Sequence, residues 1–171
     1  MRGPELHWLP RLAHWSRALA SAEPGAQAWL TLRGLARTRI DALETRSLDR
    51  KRQALVPEPS VAIVAPPIRL AVLASSTVEH LLPAIRVGGM RRDLWIETHT
   101  PEYGQYTQAL MDPASPLHAF RPTAVLFALD SRHVLAGIEP GGDAAEVERR
   151  LTRIAEDLGA QWAPSGARGG V

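Results

Sequence analysis

Apolar residues follow two different rhythms along this chain. Between residues 28 and 55 they recur at helical spacing. Trp29, Leu32, Ala36, Ile40 and Leu43 lie three or four residues apart and draw one apolar stripe, read as a single helix. The segment LETRSLDRKRQAL continues it with heavy charge on the other face. Gly34 weakens the pattern slightly. Upstream, LHWLPRLAHWSRAL reads as a short amphipathic helix interrupted by Pro10, and SAEPGA then breaks the pattern.

From residue 56 the rhythm changes. PEPSVAIVAPPIR is a Pro-rich entry that must be extended or irregular. IRLAVLASS is short, apolar and closed by small polar residues, as a buried strand of a parallel sheet is. STVEHLLPAIRVGGMRRD puts Val78, Leu81, Leu82 and Ile85 on one helical face, with Pro83 expected to kink it. LWIETH is a second strand. TPEYGQYTQALMDP is a loop entering a short helix stopped at Asp112-Pro113, and TAVLFALD is the third strand. Strands alternating with helices imply right-handed crossovers and a parallel sheet. In the last region Val147, Leu151, Ile154 and Leu158 form a helical stripe. Asp143 and Glu146 are placed to cap it and Gly159 to end it.

The expected fold is therefore α/β: an incomplete parallel sheet of about three strands flanked by helices, after an N-terminal helical arm. The expected boundaries are 1–55 for the arm, 56–160 for the α/β domain and 161–171 for a disordered tail. A sheet this small leaves an edge strand with unpaired backbone groups. The chain is thus expected to be marginal alone, to form a homodimer through that edge, or to dock on a partner.

Composition narrows the functional classes. The 171 residues contain no cysteine, which excludes disulfides and thiolate metal sites. No apolar run is long enough to span a bilayer and no secretory signal opens the chain, so a cytoplasmic location and no membrane partner are expected. Net charge is +2, not a nucleic-acid signature in itself. The charge is uneven: residues 1–52 hold ten basic and five acidic groups, residues 53–171 ten and thirteen. A solvated helical face explains this, as does a basic arm meeting an acidic partner. Six histidines are scattered with no metal-binding spacing, and no Gly-rich phosphate loop follows a strand. Neither metal nor cofactor is expected.

Ligands of open parallel sheets bind beyond the C-terminal strand ends. Three such ends are visible: Ser75-Ser76-Thr77, His99-Thr100, and Asp130-Ser131-Arg132-His133. Ser, Asp and His on one rim would serve nucleophilic catalysis if they met. The structural explanation is simpler. Ser76-Thr77-Val78-Glu79 fits a capping box, in which the serine caps a helix and the glutamate reaches back. Tyr103 and Tyr106 flank Gly104 and suit either a ligand rim or packing at a helix start.

Over residues 28–136 the runs LETRSLDR, IRLAVLASSTVEHLLPAIRVGGMRRDLWIE and PEYGQYTQALMDPASPLHAFRPTAVLFALDSRHV resemble the N-terminal domain of FkbH-like proteins. The resemblance implies a bacterial cytoplasmic protein of polyketide or related biosynthesis. It implies a fold like the SGNH hydrolases and a downstream haloacid-dehalogenase-like domain. It also implies work on an acyl carrier protein that receives a glyceryl unit from a phosphoglycerate donor. By the same resemblance Ser76 takes the place of the catalytic nucleophile, Ser75 replaces the preceding Asp, and Gly104 corresponds to the oxyanion glycine. Ser75, Thr77, Tyr103, Gly104, Tyr106 and Asp130 are then the substrate-binding candidates.

The departures from the family pattern decide the expectation. Ala128-Leu129-Asp130 stands where a Gly and Asn would follow the third strand, and the final Asp-x-x-His block has no match, His133 lying too early. The Asp-x-Asp-x-Thr motif of haloacid dehalogenases is absent from the 171 residues. Without a base, Ser76 has nothing to take its proton. The chain is thus read as a truncated or split FkbH-like N-terminal domain. Its expected role is a non-catalytic binding or scaffolding module for an acyl carrier protein or a partner catalytic domain. The alternatives are an ester or thioester hydrolase or acyl transferase using Ser76, and an inactive remnant.

Overall fold

A computed structural model describes residues 8–59, 63, 65–136, 138 and 143–162. The three strands are β1 (Ile68–Ala74), β2 (Ile96–His99) and β3 (Ala124–Ala128). They form one parallel sheet in the order β2-β1-β3, so the first strand is central. The register pairs Leu70 with Ala124 and Ala74 with Ala128. The α/β class and the parallel sheet expected from the pattern are both present. So is the expected edge: among the described residues β2 and β3 each pair on one side only, and Leu126 of β3 is 43% exposed.

By contacts the chain divides into two units, one drawn from Met1–Ile68 with Glu79–Glu97, the other from Arg69–Val78 with Thr98–Val171. The first is helical: α1 (Trp15–Ala20), α2 (Ala28–Ala36), α3 (Ala42–Leu55) and α4 (Leu82–Met90). Its core holds Trp15, Trp29, Leu32, Leu48, Val87, Met90 and Trp95. The Trp29 and Trp95 rings lie 5.6 Å apart and tilted by 41°, a geometry that adds to their burial.

One charged cluster is buried beside those rings. Asp49 on α3, 2% exposed, accepts from Arg86 on α4 at 2.9 and 2.6 Å and from Gln53 at 2.8 Å. Arg52 stands 3.8 Å from the same carboxylate, with its guanidinium 4.7 Å from the centre of the Trp95 ring. Burial pulls Arg52 below its ordinary pKa, and Asp49 opposes that pull. At the end of α4, Asp93 adopts φ 58° and its carboxylate binds Arg33 and Arg37. Gly89 is required by a close approach: a Cβ there would meet Ile96 at 2.7 Å.

Three helical expectations need correction. The stripe from Trp29 to Leu43 is split between two helices, because Asp41 and Glu44 form a capping box that restarts the chain as α3. Ile40 falls between them, and Leu43 is 71% exposed. The helix after β1 begins at Leu82, with Pro83 in its first turn. There a missing N–H costs nothing, so Pro83 opens the helix instead of kinking it, and Ser76 caps nothing. The last helix, α8 (Ala144–Trp162), runs through Gly159 without ending there. Its start is as expected, with Asp143 accepting from the Glu146 N–H at 3.1 Å. The tail from 163 lies outside the described residues.

The second unit packs α5 (Tyr106–Met111) and α6 (Pro116–Phe120) against one sheet face. Ala71 and Leu73 of β1 join Val125 and Phe127 of β3, Tyr106, Leu110 and Leu117 in one cluster. The period of two along the strands puts these residues on one side. No described helix is long and apolar enough to cross a membrane.

Two substitutions test these packing arguments. Asp49→Ala removes the buried carboxylate that faces the buried Arg52 and binds the half-buried Arg86, and should lower urea-unfolding stability by about 3–5 kcal/mol. Gly89→Ala forces its new methyl into Ile96 and should cost about 1–3 kcal/mol in the same assay.

Candidate functional site at the strand ends

The order β2-β1-β3 reverses direction between β1 and β3, which makes the crevice beyond their C-terminal ends the expected ligand site of such a sheet. The chain puts polar residues there. Ser75 follows the last residue of β1, and Asp130 comes two residues after β3. The ladder reaches past the strands, with the Ser75 N–H donating to the Ala128 carbonyl at 3.3 Å.

Ser75 and Asp130 are tied reciprocally. The Ser75 hydroxyl donates to the Asp130 carboxylate at 3.1 Å and accepts from the Asp130 backbone N–H at 2.8 Å. Asp130 in turn caps α7 (Ser131–Val134), accepting from the His133 backbone N–H at 2.9 Å. That N–H holds the Asp130 carboxyl below its ordinary pKa, desolvation opposes it, and the Ser75 hydroxyl adds to the lowering. Asp130 is therefore an anion at neutral pH.

The histidine of this rim is spoken for. His133 Nε2 shares a 2.7 Å hydrogen bond with the Tyr106 phenol, and the rings meet edge to face at 5.5 Å. Tyr106 is 5% exposed, so its ring belongs to the core and its hydroxyl to the rim. Among the described residues no imidazole is hydrogen-bonded to Ser75 or to Ser76. Ser76 and Thr77 are exposed.

The structure thus joins Ser75, Asp130 and Tyr106, three of the sequence candidates, and adds His133. Gly104 sits in the turn before α5 with φ 74°, a conformation that favours glycine. Tyr103 beside it is 73% exposed, and no ring contact or hydrogen bond brings Tyr103 to Ser76. The part played by His133 had a visible signal, since Asp130-x-x-His133 follows a strand directly. Its contact with Tyr106, 27 residues earlier, had none.

A separate cleft of about 390 Å³ opens beyond β2, lined by His99, Glu102, Gln105, Gln108, Asp112 and Ser115 among others. His99 stacks on Phe120 at 5.3 Å, and burial lowers its pKa. Among the described residues no group of His, Asp and Glu is arranged to hold a metal ion.

Comparison with protein-family models and with curated proteins gives no match. Among solved structures the chain is similar to the N-terminal part of the protein BF1531 from Bacteroides fragilis, which contains a phosphatase domain complexed with Mg. The TM-score is 0.52 at 20% identity, over 69% of this chain and 30% of that one. The likeness is one of fold, and the chain spans under a third of the solved protein.

The rim makes a prediction about protons. Because the folded pKa of Asp130 is depressed, its contribution to stability is complete above the ordinary carboxylate range, roughly pH 4, and is lost as pH falls through the lower folded value. Ser75→Ala removes one of the bonds that lower it. An NMR titration should show the Asp130 carboxyl moving up toward its ordinary value in Ser75→Ala, and unmoved in Ser76→Ala.

Proposed function

We propose that this chain is a non-catalytic docking module, the N-terminal domain of an FkbH-like natural-product biosynthesis protein. It holds an acyl carrier protein for glyceryl loading by a haloacid-dehalogenase-like partner domain. The observation that carries the reading is the state of the rim. The Ser75 hydroxyl donates to a carboxylate, His133 is engaged by Tyr106, and among the described residues no imidazole is hydrogen-bonded to Ser76. A serine nucleophile needs an imidazole or its equivalent within hydrogen-bond reach.

The docking face follows from α3. Its inner side buries Leu48, Asp49 and Arg52. On its outer side Leu43, Arg46 and Arg50 fall at helical spacing and are exposed. The nearby acidic groups, Asp41 and Glu44, are occupied with each other's backbone in the capping box. An exposed leucine ringed by arginines complements an acidic helix that carries an apolar residue. The similarity to a solved protein with a phosphatase domain supports a partner of that kind. A carrier protein and a phosphoryl-handling domain are the two partners an FkbH-like protein brings together.

Calorimetry at low salt should show the acidic carrier protein binding, with affinity falling as salt rises. Arg46→Glu combined with Arg50→Glu should weaken it about tenfold or more, while Ser76→Ala leaves it unchanged. A serine-directed fluorophosphonate should leave Ser76 unlabelled. Labelling there would replace this reading with acyl hydrolysis or transfer.

A further inference from the structure

Helix α8 presents a stripe that nothing in the proposed function uses. It spans 19 residues, Ala144–Trp162, about 28 Å of helix. Leu151 is 44% exposed, with Val147 and Ile154 half-buried on the same side. In the sequence Leu158 continues the series, so the apolar positions are separated by four, three and four residues. That is the d-a-d-a spacing of a heptad seam, narrower than the stripe of a helix lying on a sheet. With Leu151 and Leu158 at a positions, Arg150 and Asp157 occupy g, and Glu148 and Ala155 occupy e.

The charges select an orientation. In an antiparallel pair, Leu151 of one copy layers with Ile154 of the other, and position 147 falls level with position 158. The g positions then oppose each other, so Arg150 meets Asp157 of the second copy, twice by symmetry. Glu148 falls opposite Ala155 with no like charge against it. In a parallel pair the g and e positions meet, which sets Asp143 against Glu148, two acidic groups. Within one copy, Arg150 and Arg149 both pair with Glu146, so Glu146 keeps a cation when Arg150 turns to the seam.

We infer that α8 is a self-association element: two copies of the chain pair through antiparallel α8 helices, with Leu151 and Ile154 at the centre and Arg150–Asp157 pairs on the flanks. The seam is only about three helical turns long. The dimer is accordingly weak and exchanging, with micromolar dissociation.

Sedimentation equilibrium of the full chain across micromolar concentrations should show a monomer–dimer equilibrium, and Leu151→Glu should abolish it with an unchanged far-UV spectrum. Arg150→Glu and Asp157→Arg should each weaken the dimer about tenfold. The double variant restores the opposite charges and should regain most of that loss. Because the chain has no cysteine of its own, Val147→Cys with Leu158→Cys should cross-link two copies on oxidation, whereas Val147→Cys alone should not. A monomer at every concentration would overturn the inference. So would a dimer indifferent to Leu151→Glu, which would point to the sheet edge, or cross-linking by Val147→Cys alone, which would mean a parallel pair.

Discussion

The central position of β1 is the constraint from which the rest of the site follows. A chain that runs β1, then β2 on one side, then β3 on the other, must open a crevice between the C-terminal ends of β1 and β3. Whatever follows those two strands is brought together. Here that is Ser75 and Asp130, fixed by a register that pairs Ala74 with Ala128. Their two hydrogen bonds continue the ladder with side chains where the backbone pairing runs out. The same bonds spend the functional groups that a hydrolase would keep free. A serine hydroxyl that donates a hydrogen bond to a carboxylate and accepts one from a backbone amide is an attachment between strands.

The helical unit handles charge in the opposite way. It buries one aspartate and makes two arginines answer to it. Leaving any of the three unpaired in that environment is costly, so the cluster fixes how α3 meets α4. Arg33 and Arg37 are likewise held by Asp93. The basic excess of residues 1–52 is therefore only partly available to a partner. What stays outward on α3 is Arg46 and Arg50 beside Leu43. That is a smaller surface than the raw count of ten basic groups suggests, and a more specific one.

The three strands and their parallel arrangement were legible, because IRLAVLA, WIETH and TAVLFA are bounded by polar or turn residues and alternate with helical segments; their spatial order was not. The helix boundaries were legible only where a local rule acted alone. Asp143 capped its helix as its position implied. Ser76 did not, because Pro83 fits a helix only in its first turn and so moves the start to Leu82: a proline inside the helix would lose a hydrogen bond and clash with the carbonyl four residues back. The break before α3 was missed for the converse reason. Apolar spacing ran straight through Asp41–Glu44, and the capping box overrode it by leaving Leu43 in solvent. At the rim, Ser75 and Asp130 were named from the sequence as separate strand ends. Their pairing depends on register, which periodicity does not encode, and the bond between Tyr106 and His133 depends on how α5 packs under the sheet.

A nucleophilic serine at a strand end must be kept free of structural hydrogen bonds, at some cost to the sheet. At this rim the Ser75 hydroxyl has a carboxylate acceptor and a backbone donor, and both bonds serve the fold. The Ser75 hydroxyl is spent on the sheet, while Ser76 beside it stays exposed. The exposed apolar and basic groups lie elsewhere, among them Leu43, Arg46 and Arg50 of α3 and Leu151 of α8. Leu43, Arg46 and Arg50 lie outside the buried core of their own unit, so changing them alters the surface offered to a partner without disturbing the packing beneath.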